Sequence, residues 1–433
     1  MKIVQVIPDY NLGGIQKAGC VLAARMAQIG HEAVVVGHGT GPRYRSDTPS
    51  RLRHVSLPDF LPETVLTSIG EVNPDVVHIH TNVYQEPLVR LLHERFAAGG
   101  ALVISTPVFG RPPVDRAILK QTRTCCVGEY TFYRLCRWLR VTGDWAIGHG
   151  ISYVPLTPFE PPLNNLSADK AATQRLAFGV PPEAFVVGRI GRDTGSKWSA
   201  SHEGMINDLL TRLPRACWLS VGFPESRGRS RLLECWPGRF IDFPETADYE
   251  FLIKALSCMD VCLFFSPHGE CFASSICEAI CAGVPTIAGC TPVNDNGQTE
   301  QVLDGVTGFL VAGPQQALER LADLEHDPAR LSALKVSAKA YGQNRWHVDR
   351  VCDDLLSLYK WYLDDRHQNP PYVDLMREEH HAFAHTYKRR TLSLMSLGPF
   401  DRIRWFFLLN AVETWYLFKV GRFLKVLREK ARR

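Results

Sequence analysis

The sequence predicts an α/β protein made of two doubly wound, parallel-sheet domains followed by a helical tail, and three observations predict it. Short Val- and Ile-rich apolar runs alternate with longer amphipathic stretches, the alternation stops at a proline-rich segment and restarts, and the composition changes beyond Arg366. Continuously apolar strands separated by helices imply parallel sheets, because a strand covered on both faces has no polar side to show. In the first half the strands are expected at Ile3–Ile7, Ala33–Val36, Asp75–His80 and Ala101–Thr106. A helical pattern over Gln16–Ile29 is closed by Gly30, a stop signal. The segment PLTPFEPPLNN reads as a linker. Beyond it, strands are expected at Phe185–Arg192, Trp218–Gly222, Phe240–Phe243, Val261–Ser266, Pro285–Ala288 and Phe309–Val311, and Trp346–Arg366 carries a helical pattern. The expected domains are 1–157 and 168–345, facing each other across a cleft, then a helix over 346–366 and a tail over 367–433. Ligands of such sheets sit beyond the carboxyl ends of the strands, so the loops there carry the chemistry.

Composition narrows the function classes. A chain of 433 residues is too long for one compact domain. Its 45% hydrophobic and 22% charged residues are ordinary for a globular core, and a formal charge of +4 gives no ground for a nucleic-acid partner. The thirteen cysteines form no C-x-x-C pair. They are expected to be free, acting as small hydrophobes in a reducing cytoplasm. MKIVQVIPDY reads as a first strand, not a signal peptide, and no apolar run approaches the roughly 18 residues that span a bilayer. A cytoplasmic protein is expected.

Two segments concentrate the chemistry. In GECFASSICEAICAGVP, Glu270 follows the apolar strand VCLFFSP and Glu278 lies inside a helix starting near Phe272, Ala273 and Ser274. A helix start presents unpaired N–H groups and a positive dipole end, suited to a diphosphate, while two carboxylates can accept hydrogen bonds from vicinal sugar hydroxyls. In VVGRIGRDTGSKW, Arg192 ends a strand and Lys197 follows it, so a planar fork of donors and a movable point charge can converge on one anion. Arg189 is a rival for the arginine role. Two further segments belong to the first domain. PDYNLGGIQKAG places Gly13 and Gly14 in the first strand-to-helix loop, where backbone can approach a ligand, with Lys17 a weaker candidate. It lacks the G-x-G-x-x-G dinucleotide fingerprint. In DVVHIHTNVYQEP, His78 and His80 are expected on opposite faces of a strand, with His80, nearer its end, the site candidate beside an equally open structural reading.

The Glu270–Glu278 segment resembles the E-x(7)-E signature of retaining glycosyltransferases of family four, which have the GT-B fold of two Rossmann-like domains. The resemblance covers roughly residues 1–365 in architecture, with its specific motifs between Gly188 and Val311. It implies that Glu270 lies beside the donor sugar, that Glu278 binds the nucleotide ribose, and that an arginine–lysine pair holds the leaving diphosphate. The five-residue offset favours Arg192 with Lys197 for that pair. The glycine loop at Gly13 and Gly14 would face the donor phosphates and acceptor, and Gly297 and Glu300 would help shape the donor pocket, beside an equally open reading as a plain turn and helix cap. The helix 346–366 would pack back on the first domain. No D-x-D carboxylate pair is present, so no metal or cofactor is implied; the donor is a nucleotide diphosphate sugar. The sequence departs from relatives where many have a histidine, here STPVFGRPP, and where many have an asparagine–glycine turn, here YVPLTPF. Both changes fall on the acceptor side. A nucleotide-sugar epimerase and a non-catalytic glycan-binding relative stay open beside transfer.

In the tail, Trp405, Leu409, Val412, Tyr416, Val420, Phe423 and Leu427 form one apolar stripe opposite Arg422, Lys425 and Arg428. Such a helix can lie in a membrane interface, or else pack on the protein or form an oligomer contact. The first alternative suits a peripheral protein at the inner membrane face and a lipid-linked glycan acceptor in cell-surface polysaccharide synthesis.

Overall fold

The computed structural model describes residues 1–11, 13–39, 50–81, 86–109, 119, 122–156, 168–195, 197–292, 294–364 and 370–394. They form two compact units, one from Met1–Leu156 with the chain from Val351 onward, the other from Thr157–Arg350. The first is built on β1 (Lys2–Asp9), β2 (Glu32–His38), β3 (Leu52–Leu57), β4 (Val76–Thr81), β5 (Leu102–Pro107), β6 (Arg123–Cys126) and β7 (Ile151–Tyr153), in the order β3-β2-β1-β4-β5-β6-β7. The second is built on β8 (Phe185–Ile190), β9 (Ala216–Val221), β10 (Phe240–Phe243), β11 (Val261–Phe264), β12 (Thr286–Gly289) and β13 (Gly308–Val311), in the order β10-β9-β8-β11-β12-β13. Every strand pair is parallel. The winding of each sheet reverses once, between β1 and β4 and between β8 and β11. Connections leave those neighbours in opposite directions, so a crevice opens at their carboxyl ends.

All ten expected strands overlap observed ones, and the three that the sequence does not mark have a common cause. β3 is an edge strand with mixed exposure, and β6 and β7 are only four and three residues long. None offers the continuous apolar run that marks β8, β9, β11 and β12, which are buried throughout. The first helix runs Gly14–Gln28, and the chain leaves it through Gly30 at φ +101°. His31 N donates back to the Met26 carbonyl at 3.0 Å, a closure that needs the left-handed glycine. The linker segment from residue 157 to 167 lies outside the described residues.

The helical pattern expected over 346–366 is the helix Val348–Leu363, with Trp346 closing the helix before it. Pro328–Trp346 ends at His347, whose ψ of 140° is extended, and Val348–Leu363 follows. Its buried residues Val351, Leu355, Leu358, Tyr359 and Tyr362 recur at three and four, one apolar stripe. Within the expected helical tail, Pro371–Leu394 is a helix, and it packs into the first unit. Tyr372 donates its hydroxyl to the Tyr153 carbonyl at 2.6 Å, and Tyr153 donates to Glu379 at 3.1 Å. Tyr130, Tyr133, Phe383 and Tyr387 close an aromatic cluster beside it. The stripe from Trp405 to Leu427 lies outside the described residues.

Three buried histidines make the fold acid-sensitive. Burial pushes His80 and His202 down to about 3, and His380, edge-on to Phe132 at 4.8 Å, down to about 4, from an ordinary 6.5. The folded chain therefore binds fewer protons than the unfolded chain between those values. The stabilisation is fully present above 6.5 and is lost as pH falls toward the folded values. At pH 5 each of these sites forfeits up to about 2 kcal/mol. Tm is expected to fall markedly from pH 7.5 to pH 5; a flat profile contradicts this.

Candidate active site

In the second unit both chemistry-bearing segments leave the sheet at its switch point. Arg189 is the next-to-last residue of β8 and is 1% exposed. One terminal nitrogen, Nη1, donates to the Phe265 carbonyl at 2.6 Å and to His202 Nε2 at 3.0 Å; the other, Nη2, donates to the Lys197 carbonyl at 2.7 Å. The guanidinium carbon lies 4.6 Å from the Trp198 ring centre and 4.4 Å from that of Phe264. Burial lowers its pKa to about 10, which leaves it charged at neutral pH. Arg189 is thus spent inside the fold, and Arg192 is the arginine of this segment with solvent access. The loop after it is pinned from outside, since Arg227 donates to the carbonyls of Gly195 at 2.9 Å and Trp198 at 3.0 Å. Trp198 Nε1 closes the turn on the Arg192 carbonyl at 2.9 Å.

This loop meets the one leaving β11. Lys197 Nζ lies 2.6 Å from Glu270 Oε1, with the lysine side chain 31% exposed and the glutamate 16%. Ser266 Oγ, 3.5 Å from the same oxygen, donates to the Gly269 carbonyl at 3.1 Å. Gly269 has φ +65°, and a Cβ there would stand 1.5 Å from the Asp295 carbonyl oxygen, so the turn into Glu270 needs glycine. Phe272 and Ala273 then lead into the helix Ser274–Cys281. Ala273 supplies no capping side chain, and Ser274 is only partly buried. Glu278 is 8% exposed on that helix. Burial, and after it the Glu278 charge, hold the Tyr249 hydroxyl well above its ordinary value.

Sequence reasoning named Gly297 but missed Gln298 and Gln301, which with it hold Glu270 and the helix start. Gly297 N donates to the Glu270 carbonyl at 2.7 Å. Gln298 Oε1 accepts from Glu270 N at 3.4 Å, while its Nε2 donates to the Gly289 carbonyl at 2.9 Å. Gln301 clamps Ala273 twice, accepting from its N–H at 2.9 Å and donating to its carbonyl at 2.9 Å. Gln298 and Gln301 are essentially fully buried. Two amides in the short stretch GQTEQVLDG are the only signal the sequence holds for this. Glu300, expected to shape the pocket, is half-buried at the same short helix, Gln298–Gln301.

Gly13, Gly14 and His80 belong to the first unit and its own switch point. Gly13 precedes the first turn of Gly14–Gln28 in an extended conformation, and Gln16 Nε2 reaches back to Asp9 at 3.1 Å. His78 and His80 share one face, correcting the expectation of opposite faces: residues two apart on a strand point the same way. Their rings stack at 4.1 Å. His80 is 1% exposed with Nε2 2.6 Å from Gln5 Oε1, and His78 bridges the Tyr359 and Thr106 hydroxyls at 2.6 and 2.7 Å. His80 is a core residue here and not a ligand-facing one.

Among the described residues, no cluster of His, Cys, Asp or Glu could hold a metal ion, and no helix is long and apolar enough to cross a membrane. Among the described residues the thirteen cysteines form no disulfide, and Cys235 is exposed where the other twelve are buried.

With this geometry in hand, residues 237–344, which contain the Glu270 loop and its helix, match the family described as Glycosyl transferases group 1. No curated protein sequence matches the chain. Among solved structures, it is similar to a glycosyltransferase from Rickettsia africae at 16% identity and TM-score 0.66, over 84% of this chain and 99% of that one. HepE from Anabaena, solved with UDP, is similar at 14% identity and TM-score 0.64, over 83% and 100%. WaaG, a glycosyltransferase involved in lipopolysaccharide biosynthesis, is similar at 16% and 0.57, over 85% and 100%. The fold is GT-B, and these findings support the GT-B glycosyltransferase group 1 family.

Proposed function

We propose that this chain is a retaining, metal-independent glycosyltransferase that moves a sugar from a nucleotide diphosphate donor to a hydroxyl of a glycan acceptor. The observation that carries the reading is the meeting of Lys197 and Glu270, 2.6 Å apart, where the loops from β8 and β11 converge at the switch point. HepE, of the same fold, has been solved with UDP and with UDP-glucose. In the proposed reaction the bond from the anomeric carbon to the diphosphate oxygen breaks and its electron pair leaves with the diphosphate. Arg192, Lys197 and the N-terminus of Ser274–Cys281 receive that charge. Phe272, Ala273 and Ser274 bring the backbone to the phosphates. The acceptor hydroxyl attacks the same face and passes its proton to the departing phosphate oxygen. Glu270 orients the sugar, Glu278 takes the ribose, and the backbone at Gly13 and Gly14 is assigned to the acceptor. Lys197 exchanges part of its contact with Glu270 for the phosphate when donor arrives.

Because cationic side chains are available for the leaving group and no D-x-D pair is present, transfer from a nucleotide sugar is expected to persist in excess EDTA. Loss of transfer in EDTA, restored by Mg²⁺ or Mn²⁺, contradicts the metal-free reading. The acceptor is assigned to a lipid-linked glycan at the inner membrane face. That assignment rests on the stripe from Trp405 to Leu427 and on the likeness to WaaG, which is involved in lipopolysaccharide biosynthesis. The full chain is then expected to co-sediment with anionic liposomes, less so as salt rises, and a chain ending at Pro399 is not. Equal binding, or none by either, removes the membrane from the account.

A further inference from the structure

Arg189 is a buried cation with no carboxylate among its hydrogen-bond partners. They are two backbone carbonyls and one imidazole, and its Nε is buried without a hydrogen-bond partner. An arginine cannot accept a hydrogen bond, so His202 Nε2 must be the acceptor and its Nδ1 carries the proton. That proton meets the Ser199 carbonyl at 3.0 Å. Taking a guanidinium out of water is costly, and the Glu270 charge offsets only part of that cost here. The two carbonyls it holds belong to the segments that deliver the site: Lys197 itself, and Phe265, five residues before Glu270. One rigid planar fork therefore spans both loops from beneath, while Lys197 and Glu270 meet above them.

We propose that Arg189, with His202 fixing its plane, is a positioning residue that sets the spacing between Lys197 and Glu270 and so the registry of leaving-group charge against sugar. The inference rests on the transferase reading above for its catalytic consequence and on geometry alone for its structural one. A lysine at 189 keeps the charge but offers donors from one point, which cannot bridge two carbonyls held by separate terminal nitrogens.

The test is Arg189→Lys in the full chain, read in two ways. In a crystal structure of the variant, the Lys197–Glu270 contact is expected to open beyond hydrogen-bond reach. With UDP-glucose as probe, or whichever UDP-, GDP- or ADP-sugar stabilises the wild type, kcat for donor turnover is expected to fall about 10²-fold while donor KM changes less than about threefold. If the variant does not fold, His202→Gln and His202→Leu take its place. Glutamine restores an acceptor for Arg189 and should keep most of kcat, and leucine should lose it. An unchanged Lys197–Glu270 contact, a lowered Tm with unchanged kcat per folded molecule, or equal kcat for the two His202 variants overturns the proposal. A wild-type chain that turns over no nucleotide sugar overturns the transferase reading instead, and leaves the crystallographic result to decide the positioning role.

Discussion

Lys197→Ala is expected to lower kcat by on the order of 10²–10³-fold, the cost of removing one preorganised contact from a developing charge. Arg192→Ala should fall in the same range, because the two cations share one diphosphate. The contact between Lys197 and Glu270 adds a sharper expectation. Removing the lysine leaves the glutamate facing the donor phosphates uncompensated, so two anions repel. Lys197→Ala combined with Glu270→Gln should therefore cost less than the product of the single effects, a coupling typical of residues in contact. Steady-state kinetics on the four proteins reads it directly. Strict multiplicativity would mean that the pair is incidental to catalysis.

Gly297→Ala tests the support beneath Glu270 without touching any reacting group. A Cβ at 297 would stand 1.9 Å from the Cys271 carbonyl oxygen and 2.8 Å from that of Glu270. Both are backbone atoms, so the loop itself must move. Gly297 has φ −66°, so steric conflict and not backbone strain is the cause. The expected result is a kcat lowered about 10²-fold, since a displacement of about 1 Å at a reacting group suffices for that. Overpacking should cost about 1–3 kcal/mol of stability. Gly204→Ala is the control, because a Cβ there, inside the helix His202–Arg212, meets nothing within 4 Å. It should leave activity intact and raise stability by up to about 1 kcal/mol. Full activity in Gly297→Ala would show that the 297–301 segment does not set the position of Glu270.

What is legible in the sequence follows from what each feature costs to build. The ten strands that the sequence marks carry apolar runs, most of them buried along nearly their whole length, and Glu270 and Lys197 stand out because charge soon after an apolar strand is unusual. Strands without an apolar run, such as β3 (LRHVSL) and β6 (RTCC), leave no such trace. Nor does a long-range dependency: Gln298 and Gln301 act on backbone 28 residues earlier, and an amide in sequence does not say which carbonyl it will serve. The offset to Lys197 favours Arg192 over Arg189 in the sequence, and the burial of Arg189 with the exposure of Arg192 gives the physical reason. The expectation for His78 and His80 fails on strand geometry, and the stacked rings correct it. The aromatic residues of Pro371–Leu394 resemble part of a tail in sequence because their partners, Tyr130, Tyr133 and Tyr153, lie more than 200 residues away.

The central claim is transfer with retention from a nucleotide diphosphate sugar. It is tested most directly by following an α-linked donor by proton NMR in excess EDTA, with a small soluble glycan as acceptor. The account predicts that the first product formed carries the α configuration at the anomeric carbon and appears with equimolar nucleoside diphosphate. A β-configured first product, or nucleoside diphosphate release only when a divalent metal is restored, would contradict it.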